Sequence, residues 1–193
     1  MPITINGSGT LTGISAGGLP DGIVDTDMLA TSAVSAAKLG TNTFVSYAVI
    51  CDQKAQGADG GTFTSGAWRQ RDLNTELFDP DGIVSISSNE FTLQAGTYFI
   101  EFMAPAFRIG RNQSRLYDVT GDAAVQVSHV TTSDDGADGD MSETWGWSRV
   151  TIAAANNYRI DHQCSVTRSN TGYGNPGDFA EEIYTVVTIY KEA

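Results

Sequence analysis

Hydrophobic and polar positions fall into two textures along the chain. Through residue 43, apolar side chains such as Ile3, Ile5, Leu11, Ile14, Leu19, Ile23 and Val24 are sparse, none is aromatic, and Gly and Pro separate them. Such a segment buries too little apolar surface to offset its own ordering entropy. From Phe44 onward apolar residues alternate with polar ones, and aromatics recur to the end. The pattern predicts an N-terminal stem and attachment segment over 1–42 and a folded head over 43–193.

In the stem, short extended pieces at 3–6 and 10–14 alternate with Gly7, Gly9, Gly13, Gly17 and Gly18, a density that gives turns and close backbone approach. One short helix is predicted over about 26–39, capped by Asp25 or Thr26 and ending at Lys38 and Gly40. Its apolar stripe of Leu29, Ala33, Ala36 and Ala37 is narrow, and a helix this short is marginal alone. With no second helix predicted, copies of itself are the expected neighbours, which makes Leu29 and Ala33 candidate subunit contacts.

The head reads as strands at 44–51, 67–78, 83–85, 90–93, 96–106, 114–118, 124–130, 143–153, 157–167 and 182–191. Turn signals separate them, among them Asp79-Pro80-Asp81-Gly82, Thr120-Gly121-Asp122 and Asn175-Pro176-Gly177. This predicts an all-β, two-sheet sandwich. The last strand sets Ile183, Val187 and Ile189 on one face and Tyr184, Val186 and Tyr190 on the other, so both faces are apolar. The second face is expected to meet another subunit, or else to lie beneath a loop.

Charge changes the picture by exclusion. The chain has 23 acidic and 11 basic residues, a net charge of −12, and no dense Lys/Arg cluster, so nucleic acid is not an expected partner. It has neither a run of about 18 apolar residues nor a basic-then-apolar leader after Met1, so membrane insertion and signal-led export are not expected. Cys51 and Cys164 sit in separate strand-like runs and are expected as buried thiols rather than a disulfide.

The run Glu90-Phe91-Thr92-Leu93-Gln94-Ala95-Gly96-Thr97-Tyr98-Phe99-Ile100, with a closing aromatic strand over 183–190, resembles the jelly roll of complement-type globular heads and tumour-necrosis-factor-like trimers. The stem over 13–30 is similar to tail-fibre proteins of tailed bacteriophages, cyanophage fibres included. The resemblance implies a homotrimeric fibre or spike tip: a virion component made in the host cytoplasm. Its stem would dock to a phage tail or baseplate protein, and its jelly-roll knob would bind a glycan or protein receptor on a bacterial surface. The alternatives are a bacterial or prophage-encoded complement-like adhesin or carbohydrate-binding module and, more distantly, a hydrolytic spike with a carboxylate pair across a cleft.

Candidate chemistry points to recognition rather than turnover. His129 and His162 fall in different strands without a His-x-x-x-His spacing, and there is no Gly-x-Ser-x-Gly elbow. Gly57, Gly60, Gly61 and Gly66 do not precede a helix, as a phosphate loop requires. No enzyme activity, cofactor or metal is expected. The acidic loop holding Asp134, Asp135, Asp138 and Asp140 fails the EF-hand pattern, with Gly136 at a ligand position and Trp145 in place of the closing Glu. It reads as a solvated hairpin tip and a candidate receptor contact. Trp145 and Trp147 share one strand face across Gly146; core packing is the expected role, sugar stacking the alternative. Tyr173 and Phe179, in a long Gly-rich loop, are the stronger receptor candidates. Arg69 with Arg71, and Arg108, Arg111 and Arg115, could pair with carboxylates across a subunit boundary or be solvated surface.

Overall fold

The computed structural model describes residues 4–5, 11–12, 44–134, 136 and 139–193. The chain divides into two units, Met1–Thr41 and Asn42–Ala193. In the first, β1 (Thr4–Ile5) and β2 (Leu11–Thr12) pair antiparallel, Thr4 against Thr12 and Ile5 against Leu11. The expected extended pieces thus meet as a small ladder. The helix expected over about 26–39, with Leu29 and Ala33, lies outside the described residues.

In the second unit, alternating apolar runs form two antiparallel sheets. One has the order β12 (Met141–Ile152), β8 (Gly96–Phe107), β14 (Glu182–Glu192), β3 (Phe44–Lys54), β5 (Thr75–Phe78). The other runs β10 (Ala123–Val127), β9 (Gly110–Asp118), β13 (Asn156–Cys164), β7 (Glu90–Leu93), β6 (Val84–Ser87), with β11 (Thr131–Ser133) on β9 and β4 (Arg69–Gln70) on β13. Period-two alternation sends Tyr98, Ile100, Phe102 and Ala104 of β8 inward with Val187 and Ile189 of β14. They form one buried core with Phe91, Leu93, Leu116, Tyr158 and Ile160 of the other sheet. Cys51 and Cys164 are buried free thiols, and burial pushes both up to about 11.

Two features depart from simple alternation. The single strand expected over 67–78 is two short ones, because the chain crosses between sheets there. Arg71 N donates to Ile160 O of one sheet at 2.8 Å, and Asn74 N to Cys51 O of the other at 2.9 Å. The crossing buries Arg71: Nε donates to Thr185 Oγ1 at 2.7 Å, Nη2 to Tyr173 O at 3.0 Å, and the guanidinium lies 4.2 Å from the Tyr173 ring centroid. Arg71 is therefore an interior residue and not a subunit-boundary cation; desolvation brings its pKa down to about 10.

The second departure is a bulge in β14. Ile183 pairs with Gln53 and Val186 with Cys51, so Tyr184 and Thr185 both oppose Asp52. Asp52, Tyr184 and Thr185 are all buried. Tyr184, expected on the outer face, is a core residue whose hydroxyl donates to Ala58 O at 2.7 Å, and Ile183, expected inward, is exposed.

Candidate recognition site

The outer face of the five-stranded sheet is aromatic across its width. Register places Tyr190 opposite Phe99 on one side and Tyr47 on the other, while Met103 lies between Trp145 and Val186. Phe44 joins Tyr190 at 4.9 Å between ring centroids, and Phe78 stacks on Tyr47 at 4.6 Å. Phe44, Tyr47, Phe78, Trp145 and Trp147 are each about half exposed, Trp147 most at 61%.

Trp145 and Trp147 are thus not core residues, contrary to the expectation. Gly146 between them is buried on the inner side, where the Phe102 ring occupies the space a side chain would need. The pleat then sends both indoles outward. Of the expected subunit contacts on the last strand, Val186 and Tyr190 belong to this face and Tyr184 does not. Phe44, Tyr47, Phe78 and Phe99 were not singled out from sequence; they become visible only when three strands are set in register. Arg149 and Glu192 close one end of the face with a bidentate pair, Nε to Oε1 and Nη2 to Oε2 at 2.7 Å each, which holds the Glu192 carboxyl below its usual range.

The loop candidates separate. Tyr173 is half-buried, stacked on Phe63 at 4.5 Å beneath Arg71, and burial raises its phenol pKa. It is a packing residue and not a free loop-tip contact. Phe179 is 96% exposed. The loop that carries it is fastened from below by Glu182, whose carboxylate accepts from Gly177 N, Asp178 N and Gly57 N at 3.0, 2.8 and 3.1 Å and is held low by them. Phe179→Ser is expected to leave the stability of the head unchanged to within about 0.5 kcal/mol, because the ring has almost no protein contact to lose. A clear drop in a thermal melt would show that it packs.

In the acidic loop, Asp134 is exposed and turns back to accept from Gly136 N at 2.9 Å, and Asp140, also exposed, offers its carbonyl to Ser133 Oγ at 2.6 Å. Asp135 and Asp138 lie outside the described residues. Among the described residues no group of three His, Cys, Asp or Glu side chains is gathered to hold a metal ion, and no helix is long and apolar enough to cross a membrane.

The outer face of the seven-stranded sheet is polar. Asp161 is buried there between Arg115, at 2.8 Å from Oδ2, and Arg159, at 2.7 Å from Oδ1. Arg115, expected as a boundary or solvated cation, is thus committed within its own chain.

No protein-family model matches the chain, and no curated protein matches it. Solved structures do. Eiger TNF from S. frugiperda superposes with a TM-score of 0.53 at 10% identity, over 78% of this chain and 94% of that one. The globular domain of zebrafish complement 1qA protein gives 0.45 at 16% identity over 75% and 95%. Murine APRIL gives 0.49 at 5% identity over 75% and 98%. The head has the jelly-roll sandwich fold of the TNF-like proteins.

Proposed function

We propose that this chain is a structural adhesive protein whose jelly-roll heads associate as a homotrimer and bind a bacterial surface without turnover. One observation carries the reading: the outer face of the five-stranded sheet, where the cluster of Phe44, Tyr47, Phe78, Phe99 and Tyr190 and the pair of Trp145 and Trp147 flank Glu101 and Thr188. Five half-exposed rings there offer about 500 Å² at roughly 150–250 Å² per aromatic side chain. Met103, Val186 and Tyr190, each partly buried, add a smaller share. An exposed apolar area of this size lies at the upper end of what monomers leave to water and marks an interaction surface. Trp145 and Trp147 are accordingly association residues in this reading, and receptor contact falls to Phe179, the acidic hairpin and the other sheet.

The resemblance of the stem to phage fibres supports a tail-fibre or spike tip on a virion, held to a tail or baseplate protein through 1–42. Several weak sites on one knob raise avidity by effective concentration, so modest contacts suffice. A bacterial or prophage-encoded complement-like adhesin is the second reading, favoured by the fold alone; the chain's presence in purified virions or on a cell envelope separates the two.

Light scattering of the purified protein tests the association. Wild type should show the mass of three chains, and Trp147→Glu combined with Tyr190→Glu should yield monomers with unchanged strand-type circular dichroism. A wild-type monomer at micromolar concentration would overturn the reading.

A further inference from the structure

The polar face of the seven-stranded sheet holds a depression of about 350 Å³, at the small end of ligand pockets. Its floor is a cross-strand pair, Gln113 of β9 opposite Gln163 of β13. Trp68, next to the Arg69 that pairs with His162, walls the Gln163 side. Val130, 61% exposed and next to the Thr131 that pairs with Asn112, walls the Gln113 side. Arg111 closes one end, beside Ser165, whose backbone N donates to Arg111 O at 2.9 Å.

The charge of this site opposes that of the chain. Among the described residues Arg111 is the one charged residue of the lining, and beyond Trp68 two further guanidiniums, Arg115 and Arg159, share the Asp161 carboxylate, in a protein of net charge −12. The Trp68 side is also stiff, since Arg115 lies 4.3 Å from the Trp68 ring centroid and 4.5 Å from that of Tyr117. Arg111 is exposed, and among the described residues only its backbone is hydrogen-bonded, its N donating to Ser165 Oγ at 2.9 Å. Among the described residues its guanidinium, with five donors in a planar fork, has no hydrogen-bond partner. Gln113 spends one donor on Ser128 O at 2.7 Å and keeps its amide oxygen.

We propose that this depression is a subsite for one carboxylated sugar residue of a bacterial surface glycan. The paired amides donate to and accept from ring hydroxyls, Trp68 and Val130 meet the C–H face of the pyranose, and Arg111 takes the carboxylate in a bidentate contact. A polyphosphate does not suit the site, because the lining offers one guanidinium for several anionic groups. The inference rests on the adhesive reading above and adds its ligand class.

Titration of the full chain with glucuronate, galacturonate and glucose, read by saturation-transfer NMR, tests it. At least one sugar acid should bind with about millimolar Kd, and glucose about tenfold more weakly, the loss of one charge-assisted contact. Arg111→Gln should weaken sugar-acid binding by about the same factor and leave glucose unchanged. Gln163→Ala should weaken both classes. Absence of binding, equal affinity for acid and neutral sugar, or sugar-acid binding indifferent to Arg111→Gln would overturn the subsite. Adsorption to bacterial cells is measured in parallel. Sugar-acid binding without adsorption to any cell keeps the subsite and overturns the adhesive reading; adsorption without sugar-acid binding does the reverse.

Discussion

Gly146→Ala should destabilise the head by about 1–3 kcal/mol, and Gly146→Val by more, although the substitution adds only apolar atoms. The added Cβ would overlap the ring of Phe102, with Cε1 and Cε2 at 2.7 and 2.8 Å and Cζ closer still. Phe102 is fully buried at the centre of the core and sits opposite Gly146 in the β8–β12 register, so it cannot withdraw without displacing the opposite sheet. The strand would have to shift instead, and with it Trp145 and Trp147 on its other side. The variant should therefore lose thermal stability and weaken self-association together. Phe102→Leu in the Gly146→Ala background should recover part of both by vacating the space. A Gly146→Ala melt that matches wild type would show that the ring does not lie over this glycine.

Acid should begin to destabilise the head at a pH well above the carboxylate range. His162 is fully buried, 4.8 Å from the Phe63 ring, with Nε2 2.9 Å from Asn112 Oδ1. Asn112 Nδ2 donates to Ser142 Oγ at 3.0 Å, which leaves Oδ1 as the acceptor and the imidazole proton on Nε2. Burial, and secondarily the positive charge of Arg71, hold the pKa of His162 well below its ordinary 6.5. Above that value the group is neutral in both states and contributes no pH dependence. Below it the unfolded chain binds a proton that the folded chain refuses, so stability falls by up to about 1.4 kcal/mol per pH unit until the folded histidine also protonates. Glu182 adds a separate loss lower down: its folded pKa is depressed, and the contribution disappears as pH falls below the ordinary 4.5. Denaturant midpoints between pH 7.5 and 5 isolate the first window, and His162→Gln should flatten the slope there even if it lowers stability overall. An equally steep slope in that variant would assign the acid sensitivity to other groups.

Much of the candidate site was legible only in part. The stretch from Glu90 to Ile100 reads correctly because turn, alternation and core face are all local: β7 spans Glu90–Leu93 as expected, and Tyr98, Ile100 and Phe102 point inward. Sequence grouped Arg111 with Arg115 but could not see Gln163 or Trp68 beside them, since the four meet only through the pairing of β9, β13 and β4. Trp145 and Trp147 show the limit most clearly. Alternation states that the two indoles share a face and not which face is buried, and Gly146 opposite them was compatible with either until Phe102 was found to fill its place.

By itself the sequence determined that the head is all-β, where most turns fall, and that the last strand is apolar on both sides, because these depend on residues within a few positions of one another. Tertiary structure decided what depends on partners far along the chain. Arg71 became interior through Thr185 and the Tyr173 carbonyl, and Asp52 turned both Tyr184 and Thr185 inward through a bulge that one strand alone does not encode. The aromatic face exists only because β12, β8, β14, β3 and β5 lie side by side in one register, and a residue's neighbours across a sheet are set by pairing, which no local periodicity specifies.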